Sequence, residues 1–579
     1  MKLFIFFGLL FLLGNYFETG SCDDGESDEE ENLDTVTVEQ GGLQGTRFTS
    51  RRNRTYYGFL GVPFGKVGER FANAEKADSW DGVKAVKTLP PPCFQYFSFT
   101  HQMVGVEDCL QLNVYSPKPK RGEQMPVMFF ISPGGFQMGG ASHFEAEYIM
   151  DQDVVFVSIN FRMGALGFLN SGDGTVTGNM GLRDQVLALE WVKKNIKNFG
   201  GDSTKVTIWG LSAGGAAVDY LTISPMAKGL FHRAIAMSGS SLNPWAFQPH
   251  ATEIAEQLAT NAGCGDHPNW PEKVKCLRQK VPSEVVNAQL KLMKHGFDFE
   301  FLPMKFVPSV ESDKVQGPRF LSDTPYNLLS KGEIVSKVPY MTGHVENEGA
   351  FFVATIVNSE KLMKELDTKW ISMTPPLFFF DDLVTPTLQG GVSKAIRDFY
   401  LGGRPFDQAT RKGFTDIYSD RLFNNGIAKG IQLRADHQPV YSYLVDYQGQ
   451  HSLIQFDFGV KDRDGVGHAD DLMYLFNKTF AGPDILLGTK DGEFSEKLLS
   501  LFVSFAKDGK PTSLWGNQQE WPTQEHNKPG KLSPVKLYKL DLEQTELLSD
   551  PWAPRRKFWD TLPIKEHEKV GMDDPKEEL

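Results

Sequence analysis

Three residue types that cooperate in acyl transfer occur here in order along the chain: a serine, a carboxylate and a late histidine. The serine is Ser212, in the run Gly210-Leu211-Ser212-Ala213-Gly214. A serine hydroxyl attacks a carbonyl only when a neighbouring base takes its proton. Glycines two residues before and after it allow a sharp turn without side-chain clashes, and such a turn lifts the hydroxyl clear of the backbone. The base should follow late in the chain. Of 12 histidines, His468 in "DGVGHADDLMYLF" follows Gly465 and Gly467 in a loop and precedes a helical-looking run. His451, in "YQGQHSL", lacks comparable surroundings. For the carboxylate, "PYMTGHVENEGAFF" follows a short apolar strand and offers Glu346 and Glu348, which spacing does not separate. The carboxylate's work would be to orient the imidazole and stabilise its cation.

G-x-S-x-G arises by chance in a chain with 56 glycines, so its flanks must decide. "PVMFFIS" (126–132), "DVVFVSINF" (153–161) and "KVTIWG" (205–210) are apolar runs of buried-strand length. Between the last two, "GLRDQVLALEWVKKNIKNFGG" places Leu182, Val186, Leu189, Val192, Ile196 and Phe199 at helical spacing, and Gly200-Gly201 stops the helix. After the serine, "AGGAAVDYLTI" reads as a helix and "RAIAMSGS" as the next strand. Strands and helices alternating in this way predict a mostly parallel sheet with right-handed crossovers. Ser212 therefore falls where a strand becomes a helix, and the N–H of Ala213 would face an oxyanion formed there. Further donors should come from the loop after an earlier strand. "ISPGGFQMGG" supplies Gly134 and Gly135, with Ser132 and Pro133 where the usual H-G-G-G run has histidine and its first glycine. Proline has no N–H, so the hole is expected from Gly134, Gly135 and Ala213.

The 579 residues give a length prior of roughly four domains at about 150 each. Yet from Val36 onward no low-complexity linker or repeat interrupts the pattern, and "VTVEQGGLQGTRF" alternates around glycines as a hairpin does. One catalytic domain over 36–563 is the simpler reading. With 40% hydrophobic residues the core is ample, and a net charge of −13 argues against a nucleic-acid partner.

The N-terminus has one lysine, an apolar run from Leu3 to Leu13 and small residues near Ser21, the layout of a secretory signal over 1–21. No later run of about 20 apolar residues predicts a membrane span. Residues 22–35 hold the charge block "DDGESDEEENLD", expected to be a flexible acidic segment. Cys22 lies at the signal boundary, and Cys93, Cys109, Cys264 and Cys276 fall into two sequence-local pairs, as an oxidising lumen favours. Closing the first loop would contribute about 3 kcal/mol. Zinc fits poorly, because the spacings include no C-x-x-C. Asn53 and Asn477 head N-x-T sequons that could carry glycans. The tail 564–579 ends Lys576-Glu577-Glu578-Leu579, one methylene from the K-D-E-L address, which predicts a retrieval receptor and the endoplasmic reticulum lumen, with secretion as the alternative.

From about Thr35 to Pro563 the chain resembles the type-B carboxylesterase and cholinesterase family of α/β-hydrolases. The resemblance is carried by "GNMGLRDQVLALEWVKKNIKNFGGDSTKVTIWGLSAGG", "EDCLQLNVYSP" and "GLFHRAIAMSGSSLNPWA". It implies an α/β-hydrolase fold, a large mostly parallel sheet flanked by helices, and ester hydrolysis through an acyl-enzyme without metal or cofactor. It also implies Glu348, before the glycine of E-G-x-x-F, as the acid, and His468 of G-x-x-H-x-x-[DE] as the base. The implied bridges are Cys93–Cys109 and Cys264–Cys276, and the oxyanion glycines map onto Gly134 and Gly135. Two departures bear on substrate. Leu211 stands where many relatives carry Glu or Gln, the latter usual in insect juvenile hormone esterases. The loop "CFQYFSFTHQMVGVEDC" has no tryptophan for stacking choline, although Phe94, Tyr96, Phe97 and Phe99 could supply rings. A carboxylesterase rather than an acetylcholinesterase is therefore expected. The alternatives are a neutral lipase or a catalytically silent adhesion protein of the same fold.

Overall fold

A computed structural model describes residues 33–120, 122, 124–292, 304–460, 463–477, 482–512 and 521–566. The expected signal (1–21), residues 22–32 of the acidic segment and Lys576, Glu577, Glu578 and Leu579 lie outside the described residues.

Eleven strands form one sheet. In chain order they are β1 (Thr46–Thr49), β2 (Thr55–Pro63), β3 (Gln111–Ser116), β4 (Met125–Ile131), β5 (Val155–Ile159), β6 (Gly201–Leu211), β7 (Arg233–Met237), β8 (Tyr340–Val345), β9 (Val440–Val445), β10 (Lys536–Leu540) and β11 (Leu547–Ser549). Their spatial order is β11-β10-β9-β8-β7-β6-β4-β5-β3-β2-β1. From β5 across to β10 every neighbouring pair is parallel, and antiparallel strands close both edges. The central runs are apolar throughout because both faces are covered. Val206 and Ile208 of β6 join the core on one face, while Trp209 and Leu211 join the core on the other. On that second face Trp209 stacks on Phe476 at 5.4 Å and meets Phe130 at 4.8 Å. The central sheet cannot be divided among four domains, so the length prior is overturned.

The predicted hairpin forms, with Thr35–Val38 pairing antiparallel to Gly41–Gln44 in a small separate sheet. The helix before Ser212 spans Met180–Asn195, tightens into one 3₁₀ turn over Ile196–Phe199 and stops at Gly200, whose φ is 81°. β6 begins at Gly201, four residues earlier than its apolar run, because Gly201 already pairs with Met125 of β4. Packing contacts also occur just outside residues 36–563. Leu33 is buried, the Asp34 carbonyl accepts from Gly45, Lys565 N–H donates to Leu383, and Glu566 pairs with Arg421.

The helix that carries the serine turn, α1 (Ala213–Ile223), is fixed by a buried ion pair. Asp219 pairs with Arg434 and accepts hydrogen bonds from the Ser240 hydroxyl (3.0 Å), the Ser241 N–H (2.8 Å) and the Ser241 hydroxyl (2.8 Å). Breaking such a buried pair by removing one partner leaves an uncompensated charge, which is why it fixes a geometry so firmly. The bridges Cys93–Cys109 and Cys264–Cys276 are formed, with Cα separations of 4.9 and 5.8 Å. Among the described residues no helix is long and apolar enough to cross a membrane.

Candidate active site

Ser212 sits between β6 and α1 with φ 59° and ψ −121°, a conformation rarely adopted by a residue with a side chain. It is held there from both sides: its N–H donates to the Met237 carbonyl (2.8 Å), and its own carbonyl accepts from Ala216 (2.9 Å). The flanking glycine is sterically obligatory, since a Cβ on Gly214 would lie 2.1 Å from the Ile131 carbonyl oxygen. The turn therefore exists because β6, α1 and β4 approach too closely for any larger residue.

The histidine and the acid come from two loops tied together. Asn347 N–H donates to the Val466 carbonyl (3.0 Å), bridging the segment after β8 to the segment before His468. His468 Nδ1 lies 2.5 Å from Glu348 Oε2. The other carboxylate oxygen, Oε1, accepts from the Ser238 hydroxyl (2.5 Å) and the Val345 N–H (3.0 Å). Glu348 is fully buried, which alone would raise its pKa. The charge and hydrogen bond of His468, with help from His344 and Ser238, outweigh that burial and hold it below the ordinary carboxylate value. Glu346, which sequence spacing did not distinguish, instead bonds the Asn347 amide and does not reach His468. Among the described residues His451 makes no hydrogen bond to either member of this pair, and its ring meets Phe456 at 5.9 Å in a tilted arrangement.

Several supporting residues had no sequence signal. The His468 ring packs against Phe423 (4.5 Å) and Phe352 (5.3 Å), which touch each other at 5.5 Å and restrict its rotation. Asp470 fastens the histidine loop by accepting from the Gly467 N–H (2.9 Å), the Leu453 N–H (2.8 Å) and the Ser452 hydroxyl (2.8 Å). Burial pushes Asp470 up to about 6 despite these bonds. Ala469 enters the next turn with φ 68°.

Ser212 and His468 line one narrow cavity of about 90 Å³, together with Pro133, Gly134, Gly135 and Leu211. Gly134 and Gly135 have φ of 124° and 63°, and a Cβ on Gly134 would strike the Met138 carbonyl oxygen at 2.0 Å. Among the described residues no hydrogen bond occupies the N–H groups of Gly134, Gly135 or Ala213. Pro133 also borders the cavity, and among the described residues the Ser132 hydroxyl behind it is buried without a partner. A larger cavity of about 430 Å³ lies elsewhere, beside the Cys93–Cys109 bridge, and contains neither Ser212 nor His468. Cavity size therefore does not single out the pocket of Ser212 and His468. The aromatic run is divided: Tyr96 and Phe99 face the catalytic cavity, Phe94 faces the larger one, and Phe97 stacks on His143 at 5.4 Å. These rings form no single cage around the serine.

The two sequons differ. Asn53 is exposed in a turn. Asn477 is 1% exposed, and its Nδ2, the atom a glycan would occupy, donates to Glu147 at 2.8 Å. In this packing the Asn477 amide nitrogen is engaged by a carboxylate, whereas that of Asn53 lies on a surface turn.

The family model of the carboxylesterase family matches residues 32–553. Venom carboxylesterase-6 of Apis mellifera is 32% identical over 552 residues, 93% of this chain and 96% of that one. A juvenile hormone esterase of Tribolium castaneum is 35% identical over 500 residues, 82% of this chain and 84% of that one. The crystal structure of juvenile hormone esterase from Manduca sexta, with OTFP covalently attached, superposes with a TM-score of 0.77 at 26% identity, covering 91% of this chain and 98% of that one. With an α/β-hydrolase sheet, a serine at its strand–helix turn and relatives of nearly full length, the chain belongs to the carboxylesterase family and is a serine hydrolase of small-molecule carboxylic esters.

Proposed function

We propose that Ser212 is the nucleophile, His468 the general base and acid, and Glu348 the residue that orients and stabilises the imidazolium. The observation that carries this reading is the convergence of a backbone-strained serine and a carboxylate-held histidine on one cavity. His468 takes the hydroxyl proton as the serine oxygen bonds to the ester carbonyl carbon. The carbonyl oxygen becomes an oxyanion, received by the N–H groups of Gly134, Gly135 and Ala213; each such donor lowers a barrier by about 2.7–4 kcal/mol. His468 returns the proton to the leaving alcohol, and water repeats the cycle on the acyl-enzyme. The chemistry needs only a nucleophile, a base and charge stabilisation. Purified protein dialysed against EDTA should therefore hydrolyse p-nitrophenyl butyrate at its undialysed rate. A loss restored by added metal would contradict the mechanism, and no turnover by folded protein would favour a binding module.

Leu211 is fully buried against the cavity, so the wall beside the nucleophile is apolar where a carboxylate would favour cations. This supports a broad-range carboxylesterase with neutral substrates over a cholinesterase, and leucine in place of the glutamine usual in juvenile hormone esterases weakens that alternative. The domain limits 36–563 and an Asn53 glycan belong to the same reading. The N-terminal apolar run, the two disulfides and a relative named for venom support the secretory pathway. Within that pathway the terminal Lys576-Glu577-Glu578-Leu579 favours the endoplasmic reticulum lumen. Appending residues after Leu579 should then raise the exported fraction in secreting cells, and unchanged export would reject retrieval.

A further inference from the structure

The polar side chains around the catalytic cavity are nearly all committed to other protein groups. Gln289 donates to Gln137 Oε1 (2.8 Å) and accepts from the Ala165 N–H (2.7 Å), and Gln137 donates to the Phe306 carbonyl (2.7 Å). The Tyr96 hydroxyl lies 3.1 Å from His101 Nδ1, and the Ser98 hydroxyl lies 3.2 Å from Met138 Sδ. Asp457 is different. It lines the same cavity as Ser212 and His468, its Oδ2 is buried without a partner, and among the described residues its carboxyl makes no hydrogen bond. It rides on the short helix Leu453–Phe458, whose start is tied through Ser452 and Leu453 to Asp470. The backbone beneath the carboxyl is thus fixed to the histidine loop. Burial, with the Asp470 carboxylate adding to it, pushes Asp457 up to about 7. Asp457 is half-buried, and its Oδ2 alone is shut away from solvent; a shielded oxygen with no partner costs free energy, so its position favours an occupant that completes it.

We propose that Asp457 determines specificity by accepting a hydrogen bond from a hydroxyl group carried on the ester substrate, away from the reacting carbonyl. The inference rests on the assignment of Ser212 and His468 as the reacting pair. A carboxyl group retains acceptor lone pairs whether ionised or protonated, so the role does not depend on its charge state. A neutral hydroxyl needs one acceptor. A cation would surrender its hydration to a wall formed by Leu211, Met138 and Phe351 with a single carboxyl as compensation. The preferred substrates are therefore hydroxylated esters, with the hydroxyl on the acyl or the alcohol portion.

Two matched pairs test this by pH-stat on the purified chain: ethyl 6-hydroxyhexanoate against ethyl heptanoate, and 4-hydroxybutyl butyrate against pentyl butyrate. Within each pair a hydroxyl replaces a methyl. In at least one pair the wild-type chain should favour the hydroxyl member in kcat/KM by about tenfold or more. Asp457→Leu should reverse that ratio, and Asp457→Asn, which keeps an acceptor oxygen, should retain part of it. Preference for the methyl member in both pairs by the wild type would overturn the proposal. So would a Leu variant that melts higher with its ratio unchanged. Turnover of the methyl members that stops in Ser212→Ala tests the reacting pair separately, so either reading can fail alone. If no ester is turned over by folded wild-type protein, the reacting-pair assignment falls and takes this inference with it.

Discussion

Ser212→Ala should lower kcat/KM for a short-chain p-nitrophenyl ester by about 10⁴–10⁶-fold while leaving the melting temperature close to that of the wild type. The expected size follows from what remains. Without a nucleophile, the N–H groups of Gly134, Gly135 and Ala213 still polarise a bound ester, and His468 can still draw a proton from water. Triads that lose one member keep a residual acceleration of about 10³–10⁴ over water by this means. The substitution deletes one oxygen from a position whose backbone is set by the Met237 and Ala216 hydrogen bonds, not by the hydroxyl. Alanine tolerates φ 59° no worse than serine does, so the turn should persist. Kinetics on the two proteins, with thermal melts beside them, check both halves. A fall of less than about tenfold would require another nucleophile.

Glu348→Gln should cost about 10³–10⁴-fold in kcat, although it changes no volume. The argument is one of hydrogen-bond polarity. Glu348 Oε1 receives two donors, the Ser238 hydroxyl and the Val345 N–H. A glutamine must therefore keep its amide oxygen on that side and turn its NH₂ toward His468 Nδ1. The imidazole can then only accept at Nδ1, so its proton moves to the other ring nitrogen, the one that must receive the serine proton. The variant thus has an intact triad shape with the wrong tautomer, and it also lacks the charge that stabilises the imidazolium. The same enzyme assayed under the same conditions, with circular dichroism to show the fold, decides it. Retention of more than about a tenth of wild-type kcat would mean that Glu348 is not the orienting acid.

The sequence disclosed the parts of this site that depend on local chain geometry. The apolar run of β6, the glycines around Ser212 and the helical spacing after it specify the strand–serine–helix turn with little outside help. The α/β sheet was legible for the same reason, since each central strand is a short apolar run bounded by a turn. The choice between Glu346 and Glu348 was not, because both follow β8 directly and only the Asn347–Val466 pairing between distant loops decides which reaches His468. Resemblance to the family supplied the choice that spacing lacked. Groups that act across long sequence separations were hidden altogether: Phe423 and Phe352 against the imidazole, Ser238 beneath Glu348, and Asp219 with Arg434 under α1. Asn477 shows the converse. Its sequon is local, whereas its burial against Glu147 is a property of the assembled fold. Asp457 likewise reads as one more acidic residue until the cavity around it is seen.

The most direct test of Ser212 as nucleophile is the intact mass of the purified chain after reaction with an organophosphate, followed by peptide mapping. The account predicts a single adduct, on Ser212, formed in step with the loss of esterase activity and absent from Ser212→Ala. Folded protein that hydrolyses esters yet carries the adduct on another residue, or none, would contradict it.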